Sequence, residues 1–102
     1  MKRQVIFSPE AQTDLLSLYD YIADRSGENV AFGYVARIES YCLGFDLGAE
    51  RGTKRDDLRP GLRTVGFEKR VTIAFHIEPR SVTIDRIPYG DRDLGRAFPA
   101  DD

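Results

Sequence analysis

Three runs of alternating apolar and polar residues in the second half of the chain constrain its fold more than any other feature. They cover residues 62–65, 70–77 and 82–87, and short segments rich in glycine, proline and charge separate them. Alternation with a period of two is typical of a β-strand with one buried face. Consecutive strands joined by short turns form an antiparallel meander. The sequence therefore predicts a three-stranded antiparallel sheet in this half of the chain.

The first half of the chain has the spacing of α-helices instead. Two stretches repeat apolar residues mostly at intervals of three or four: Ala11, Leu15, Leu18, Tyr19 and Ile22, followed by Ala31, Val35, Ile38, Cys42 and Phe45. Each set lies on one face of a helix. Ser8 and Pro9 form a typical helix start, because the hydroxyl can cap a free amide and proline fits the first turn. Ser26-Gly27 ends the first helix, so the two helices should pack as an antiparallel hairpin.

The complete pattern predicts an α+β fold. Residues 4–7 form a short β-prone run ahead of the helices, and residues 46–61 are the one long irregular stretch. A chain of 102 residues has the size of one domain, so residues 1–102 are predicted to form a single domain. It should contain an N-terminal strand, the antiparallel helix hairpin and a small, mainly antiparallel sheet that includes the C-terminal meander.

Several classes of protein are disfavoured by composition. No apolar run approaches the roughly 20 residues that cross a bilayer, and the first residues lack the apolar stretch of a signal peptide. Cys42 is the single cysteine, which agrees with the reducing cytosol, and it lies on a helical apolar stripe as a core residue would. With one histidine and no phosphate-binding glycine motif, the sequence predicts neither a metal site nor a cofactor.

Positive charge is concentrated in the second half, although the net charge is −2. Residues 1–50 carry four basic and eight acidic side chains, whereas residues 51–102 carry eleven basic and nine acidic ones. A local positive field attracts phosphates or an acidic partner even when the total charge is negative. Composition alone favours ordinary loops exposed to solvent as the place of these basic side chains. Their position in the fold decides whether they form a binding surface.

Five basic residues of this half lie on strands, or at strand ends, that should be neighbours in the sheet. They are Arg63, Lys69, Arg70, Arg86 and Arg92, and Tyr89 lies among them. The guanidinium fork matches phosphate and carboxylate oxygens, and a tyrosine can stack on a base. We therefore predict one solvent-facing surface of the sheet that binds a macromolecular target. For any single member, a strand-edge charge that discourages aggregation remains the alternative.

Two segments resemble the signatures of a known family. Residues 55–63 read RDDLRPGLR and enter a predicted strand, and residues 87–94 read IPYGDRDL and follow the last one. In this order and spacing they resemble the RelE/ParE superfamily of bacterial toxins, from type II toxin–antitoxin and plasmid-stabilisation modules, and in particular its ParE branch. The resemblance covers nearly the whole chain. It implies the same α+β fold that the periodicity predicts.

The resemblance also implies two possible activities. RelE-type members cut mRNA on the ribosome with basic residues on the sheet and, commonly, a C-terminal tyrosine, whereas ParE-type members inhibit DNA gyrase. Here Phe98 stands at the tyrosine position, and Thr64-Val65-Gly66 follows Arg63 where a lysine pair is expected. These departures favour a cytoplasmic gyrase inhibitor that performs no covalent chemistry. A ParD-like antitoxin should neutralise it in a hetero-oligomer, with Tyr19, Tyr21, Tyr34 and Tyr41 on the exposed side of the helices as anchors.

Two alternatives remain open at this point. One is a ribosome-dependent mRNA interferase, for which the candidate catalytic residues are Arg63, Arg92, Tyr89 and His76. His76 is a lone strand histidine, and a general base also needs a nucleophile and a charge stabiliser within reach. The other is a module that keeps the fold and binds an antitoxin without being toxic. The sequence leaves it undecided whether the protein is an enzyme, although it favours one that is not.

Overall fold

The computed structural model describes residues 2–89 and 97–98. Its elements are β1 (Gln4–Phe7), α1 (Pro9–Ser26), α2 (Glu28–Leu43), a short 3-10 turn (Gly44–Asp46), β2 (Thr53–Lys54), β3 (Leu62–Phe67), β4 (Val71–Ile77) and β5 (Ser81–Arg86). Two helices therefore stand between the first strand and the remaining four. This arrangement confirms the predicted α+β fold.

The five strands form one sheet in the order β1-β5-β4-β3-β2. The strands β3, β4 and β5 form the predicted antiparallel meander. At one edge β1 lies parallel to β5, with Val5 opposite Val82. At the other edge β2 pairs antiparallel with β3. The prediction that residues 46–61 are wholly irregular is wrong at this point, because Thr53 and Lys54 extend the sheet.

The start of α1 matches its sequence signal. Ser8 Oγ accepts a hydrogen bond from the Ala11 amide at 3.0 Å, as an N-cap does, and Pro9 occupies the first turn. The same hydroxyl donates to the Asp85 carbonyl at 2.8 Å. One side chain thus caps the helix and ties it to β5.

The main core lies between the helix hairpin and one face of the sheet. Its largest fully buried members are Phe45, Phe75, Ile38, Ile73, Ile84, Ile87, Val82 and Cys42. The α-helix α2 ends at Leu43, two residues earlier than predicted, and the 3-10 turn that follows keeps Phe45 inside the core. The Phe45 and Phe75 ring centroids are 4.8 Å apart. Full burial of each large side chain stabilises the fold by about 1.5–3 kcal/mol.

The opposite face of the sheet is also partly covered. Leu62 and Ala74 are fully buried there, and Phe98 packs on them with 4% of its surface exposed. The Arg59 guanidinium lies 4.8 Å from the Phe98 ring centroid. The sheet therefore has buried apolar residues on both faces. For this reason, the alternation along a strand does not show which of its residues face the helices.

One irregularity interrupts the meander. The register between β4 and β5 shifts between Ala74 and Phe75, so that Phe75 faces Ile84 and Ala74 faces Arg86. Asp85 is the extra residue of this β-bulge. In the part of the chain that the structure describes, no helix is long and apolar enough to cross a membrane.

Candidate functional site

Arg86 does not lie on a solvent-facing sheet surface. Its Nε and Nη2 donate to the two carboxylate oxygens of Asp14 on α1, at 2.8 and 3.0 Å. Asp14 also accepts the Ile87 amide at 2.8 Å. The hydrogen bonds to Asp14 raise the pKa of Arg86, and partial burial opposes them. Arg86 is thus not the free, solvent-facing cation that was predicted, because a half-buried carboxylate already pairs with its guanidinium.

Arg63 and His76 lie on opposite faces of the sheet. Arg63 is paired with Phe75 across the β3–β4 ladder, and Leu62 is paired with His76. Directly opposed residues share a face and successive residues alternate, so Arg63 is on the side of the helices and His76 on the other side. Arg63 Nη1 donates to the Arg51 carbonyl at 3.2 Å. Arg63 and His76, two of the candidate catalytic residues of the interferase alternative, are therefore separated by the sheet.

His76 has acidic neighbours of its own. Its Nδ1 is 2.7 Å from Asp85 Oδ2, and its Nε2 is 3.6 Å from Glu78 Oε1. The contact with the partly buried carboxylate of Asp85 fixes the orientation of the imidazole. The environment of His76 is that of a hydrogen-bonded surface histidine.

Lys69 and Arg70 lie in the turn between β3 and β4. Both Glu68 and Lys69 have positive φ angles, 49° and 64°, so the turn is tight and all three side chains are exposed. Arg70 Nη1 donates to Tyr89 Oη at 3.4 Å, and this bond raises the pKa of Arg70. Among the described residues of the predicted surface, Lys69, Arg70 and Tyr89 lie together. Arg92, the sixth predicted residue, lies outside the described residues.

Basic residues of the 46–61 loop are largely used inside the loop. Arg51 donates to the carbonyl of Gly48 at 2.7 Å, and its guanidinium lies 4.7 Å from the Phe45 ring centroid. Arg55 forms a two-point hydrogen bond with Asp57 at 3.0 and 2.9 Å, which lowers the pKa of that carboxyl. Arg51 and Arg55 are therefore already engaged by groups of the loop itself.

The four predicted antitoxin anchors differ in exposure. Tyr21 is 41% exposed, whereas Tyr34 is 8% exposed and Tyr41 is half-buried against Phe45 and Phe67. Tyr19 is half-buried as well. Tyr34 lies inside because it follows Ala31 by three residues on the core-facing side of α2. Its placement on the exposed side of the helices is therefore wrong.

Other apolar side chains of the helices are more exposed than the tyrosines. They are Leu16, Phe32, Leu43 and Val30, each more than half exposed. Sequence reasoning missed them because each lies off the core stripe, where a single apolar residue is ordinary.

A cleft of about 350 Å³ opens between the end of α1, the first turns of α2 and the exit of β5. We call it the tyrosine–arginine cleft and define it by Tyr21, Arg25, Tyr34, Arg70 and Tyr89. The rings of Tyr21 and Tyr89 are 5.3 Å apart, and the Arg25 guanidinium lies 3.9 Å from the Tyr21 ring centroid. No sequence motif marks this set, because the topology alone brings its members together.

Cys42 belongs to the core and not to the candidate site. Cys42 is fully buried, which raises the pKa of its thiol to about 12, and Glu39 adds to the shift. Its prediction as a core residue is confirmed. Within residues 2–89 and 97–98, no three His, Cys, Asp or Glu side chains are grouped so that they could hold a metal ion.

Comparison with known proteins adds the family context. A family model described as the ParE toxin of the type II toxin–antitoxin system parDE matches residues 5–94. Eleven solved chains match the fold. One, from "Chromosomal ParDE TA system from P. aeruginosa", is 23% identical with a TM-score of 0.78, over 88% of this chain and 98% of that chain. Comparison with curated proteins gives no match.

Proposed function

This chain belongs to the ParE toxin family of type II toxin–antitoxin systems, and from that premise we propose that it binds and inhibits DNA gyrase. Inhibition of gyrase is what the resemblance to the ParE branch implies. Gyrase acts on bacterial DNA in the cytoplasm, which is the compartment that the sequence predicts. The proposal requires binding of the target and no covalent chemistry on it.

The observation that carries this choice is the separation of the ribonuclease candidates. Arg63 shares a face with Phe75, whereas His76 is on the opposite face with Leu62. Tyr89 lies apart from both Arg63 and His76, because it contacts Tyr21 and Arg70 beside the helices. General acid–base catalysis contributes about 10²–10⁴ in rate only when acid, base and charge stabiliser reach the same reacting atoms. These three side chains do not.

We further propose that gyrase contacts the turn that carries Lys69 and Arg70. These are the exposed members of the predicted target-binding set. The other described members are Arg63 and Arg86, which donate to groups inside the protein, and Tyr89, which is half-buried beside Arg70. Arg92 stays in the proposal as a predicted contact. A charged turn is suited to steering and orienting a large partner.

A supercoiling assay tests the proposal directly. Purified protein is added to gyrase, ATP and relaxed plasmid, and we expect loss of supercoiling or accumulation of cleaved DNA at near-stoichiometric toxin. The double variant Lys69→Ala/Arg70→Ala should require at least about tenfold more protein. Arg55→Ala is the control, because Arg55 is a partly exposed arginine already paired with Asp57.

Two results would contradict the proposal. The first is unchanged supercoiling at large molar excess of the wild-type protein. The second is codon-specific cleavage of a reporter mRNA in a bacterial translation extract, read by primer extension. The second result would establish the interferase alternative, and Tyr89→Phe and His76→Ala would then be the first variants to examine.

We also propose that a ParD-like antitoxin neutralises this protein in a hetero-oligomer. Support comes from the apolar side chains that the helix hairpin exposes: Leu16 and Phe32 are both 69% exposed, and Tyr21 is 41% exposed. Exposed apolar side chains on one hairpin suit a partner that covers it. Co-expression with the small open reading frame beside the gene should restore growth and yield a stable complex. Full growth of cells that express this protein alone would favour the non-toxic module.

A further inference from the structure

Unpaired positive charge collects in the tyrosine–arginine cleft. Arg25 and Arg70 both line it, and none of its lining side chains is a carboxylate. Among the described residues, neither guanidinium is within salt-bridge distance of an acidic group, whereas Arg37 and Arg86 nearby are paired with Glu68 and Asp14. A site with two arginines and no acid of its own selects an anionic ligand.

A buried hydroxyl of the cleft lacks a partner. Tyr34 is 8% exposed, and its Oη has no hydrogen bond to any described group. Burial raises the pKa of Tyr34, so the phenol keeps its proton and is a donor. Buried polar groups in native proteins are almost always hydrogen-bonded, and an orphan requires an explanation. A ligand carboxylate that accepts from Tyr34 and both arginines would supply one.

The rim of the cleft is apolar. Val30 is 54% exposed in the first turn of α2, and the rings of Tyr21 and Tyr89, tilted by 52° to each other, form the facing wall. A volume of about 350 Å³ accommodates one or two side chains and not a folded surface. The fitting ligand is therefore a peptide in which an acidic side chain stands beside an apolar one.

We propose that the tyrosine–arginine cleft receives an acidic side chain, flanked by an apolar one, from the antitoxin. This inference rests on the proposed function, since it specifies how the antitoxin is held. The carboxylate pairs with Arg25 and Arg70 and accepts the Tyr34 hydroxyl, while the apolar neighbour packs on Val30 and Tyr21. Arg70 belongs to the proposed gyrase contact as well, so an antitoxin seated here neutralises the toxin by occupying one of its target-binding side chains.

Binding of the purified antitoxin from the neighbouring small open reading frame tests the proposal. Its affinity for the full chain is measured by calorimetry for the wild type and for Arg25→Gln/Arg70→Gln. We expect the dissociation constant of the double variant to rise at least about tenfold. Raising the salt concentration should weaken the wild-type complex more than the variant complex. Arg80→Gln is the matched control, because Arg80 is an exposed arginine in the β4–β5 turn.

Tyr34→Phe separates binding from folding. The change removes only the unpartnered hydroxyl, so the unfolding temperature of the free protein should not fall. Its affinity for the antitoxin should nevertheless drop at least about threefold, because a donor to the carboxylate is lost. A lower unfolding temperature with unchanged affinity would mean that the hydroxyl serves the fold and not the ligand.

The outcomes distinguish this inference from the function on which it rests. If the wild type binds the antitoxin and the folded double variant binds within twofold of it, the cleft is not the acidic-residue site, while the toxin–antitoxin proposal stands. If the wild type forms no complex, the antitoxin proposal itself fails. Binding of a single-stranded RNA oligonucleotide that the double variant loses, with antitoxin binding unaffected, would assign the cleft to nucleic acid instead.

Discussion

Asp14 receives three hydrogen bonds from groups that follow it by 72 and 73 residues: two from the Arg86 guanidinium and one from the Ile87 amide. The carboxylate is 15% exposed and the guanidinium 32% exposed, so this pair is better shielded from water than a surface salt bridge. Position parity does not give this placement, because the β-bulge at Asp85 breaks the alternation of β5: Arg86 is paired with Ala74, and the next residue, Ile87, enters the main core.

The first prediction concerns this pair. Asp14→Ala should destabilise the protein by about 1–3 kcal/mol, because it leaves a half-buried guanidinium and a backbone amide without an acceptor. Urea unfolding at neutral pH measures the change. Asp20→Ala is the control, since Asp20 is an exposed aspartate on the same helix. Equal unfolding midpoints for the two variants would show that the pair contributes nothing to stability.

The elements of this protein differ in how well the sequence announces them. Both helices carry a stripe of three to four buried residues, and α1 adds the Ser8 cap, so local rules suffice for them. The two-residue strand β2 has no such signal. It forms because Gly52 lets the loop lie close along β3, and this depends on a partner strand that local sequence cannot reveal. Gly52 has φ +74°, and a Cβ there would lie 2.3 Å from the Thr64 carbonyl oxygen.

The second prediction therefore concerns Gly52. Gly52→Ala should cost about 1–3 kcal/mol, because a side chain is strained at positive φ and must push back the β3 backbone. Gly44→Ala should change stability by no more than about 1 kcal/mol, since Gly44 has φ −69° and open space around its Cα. Thermal unfolding of both variants makes the comparison. A Gly52→Ala protein as stable as Gly44→Ala would mean that the loop is free to leave β3.

At the scale of the whole molecule, the strands were predictable and the faces of the sheet were not. Period two separates the residues of a strand into two sets but does not say which set is inside. Leu62 and Arg63 show the difficulty: Leu62 packs under Phe98, and Arg63 points to the side of the helices. A sheet with apolar residues on both faces removes the signal that normally orients it. The tyrosine–arginine cleft was out of reach for a related reason, since its members come from four separate elements.

The third prediction tests this two-sided sheet through β1. Val5 contacts the main core and lies opposite Val82, whereas Ile6 is 40% exposed and lies opposite Thr83. Val5→Ser should destabilise the protein by about 1–2 kcal/mol, and Ile6→Ser by less than half as much, because Val5 packs against the main core and Ile6 does not. Guanidinium unfolding followed by circular dichroism provides the measurement. The reverse order would mean that β1 pairs in a register shifted by one residue.

The parallel pairing of β1 with β5 also determines when the chain can complete its fold during synthesis. β1 is synthesised first but can pair only after β5 has been synthesised. The hydroxyl of Ser8 likewise donates to the Asp85 carbonyl, 77 residues later in the chain. Until β5 has been synthesised, the helix hairpin lacks part of the sheet against which it packs. Val5 and Phe7 are then exposed to water or bound to a chaperone. A chain that stops before β5 therefore cannot complete the sheet.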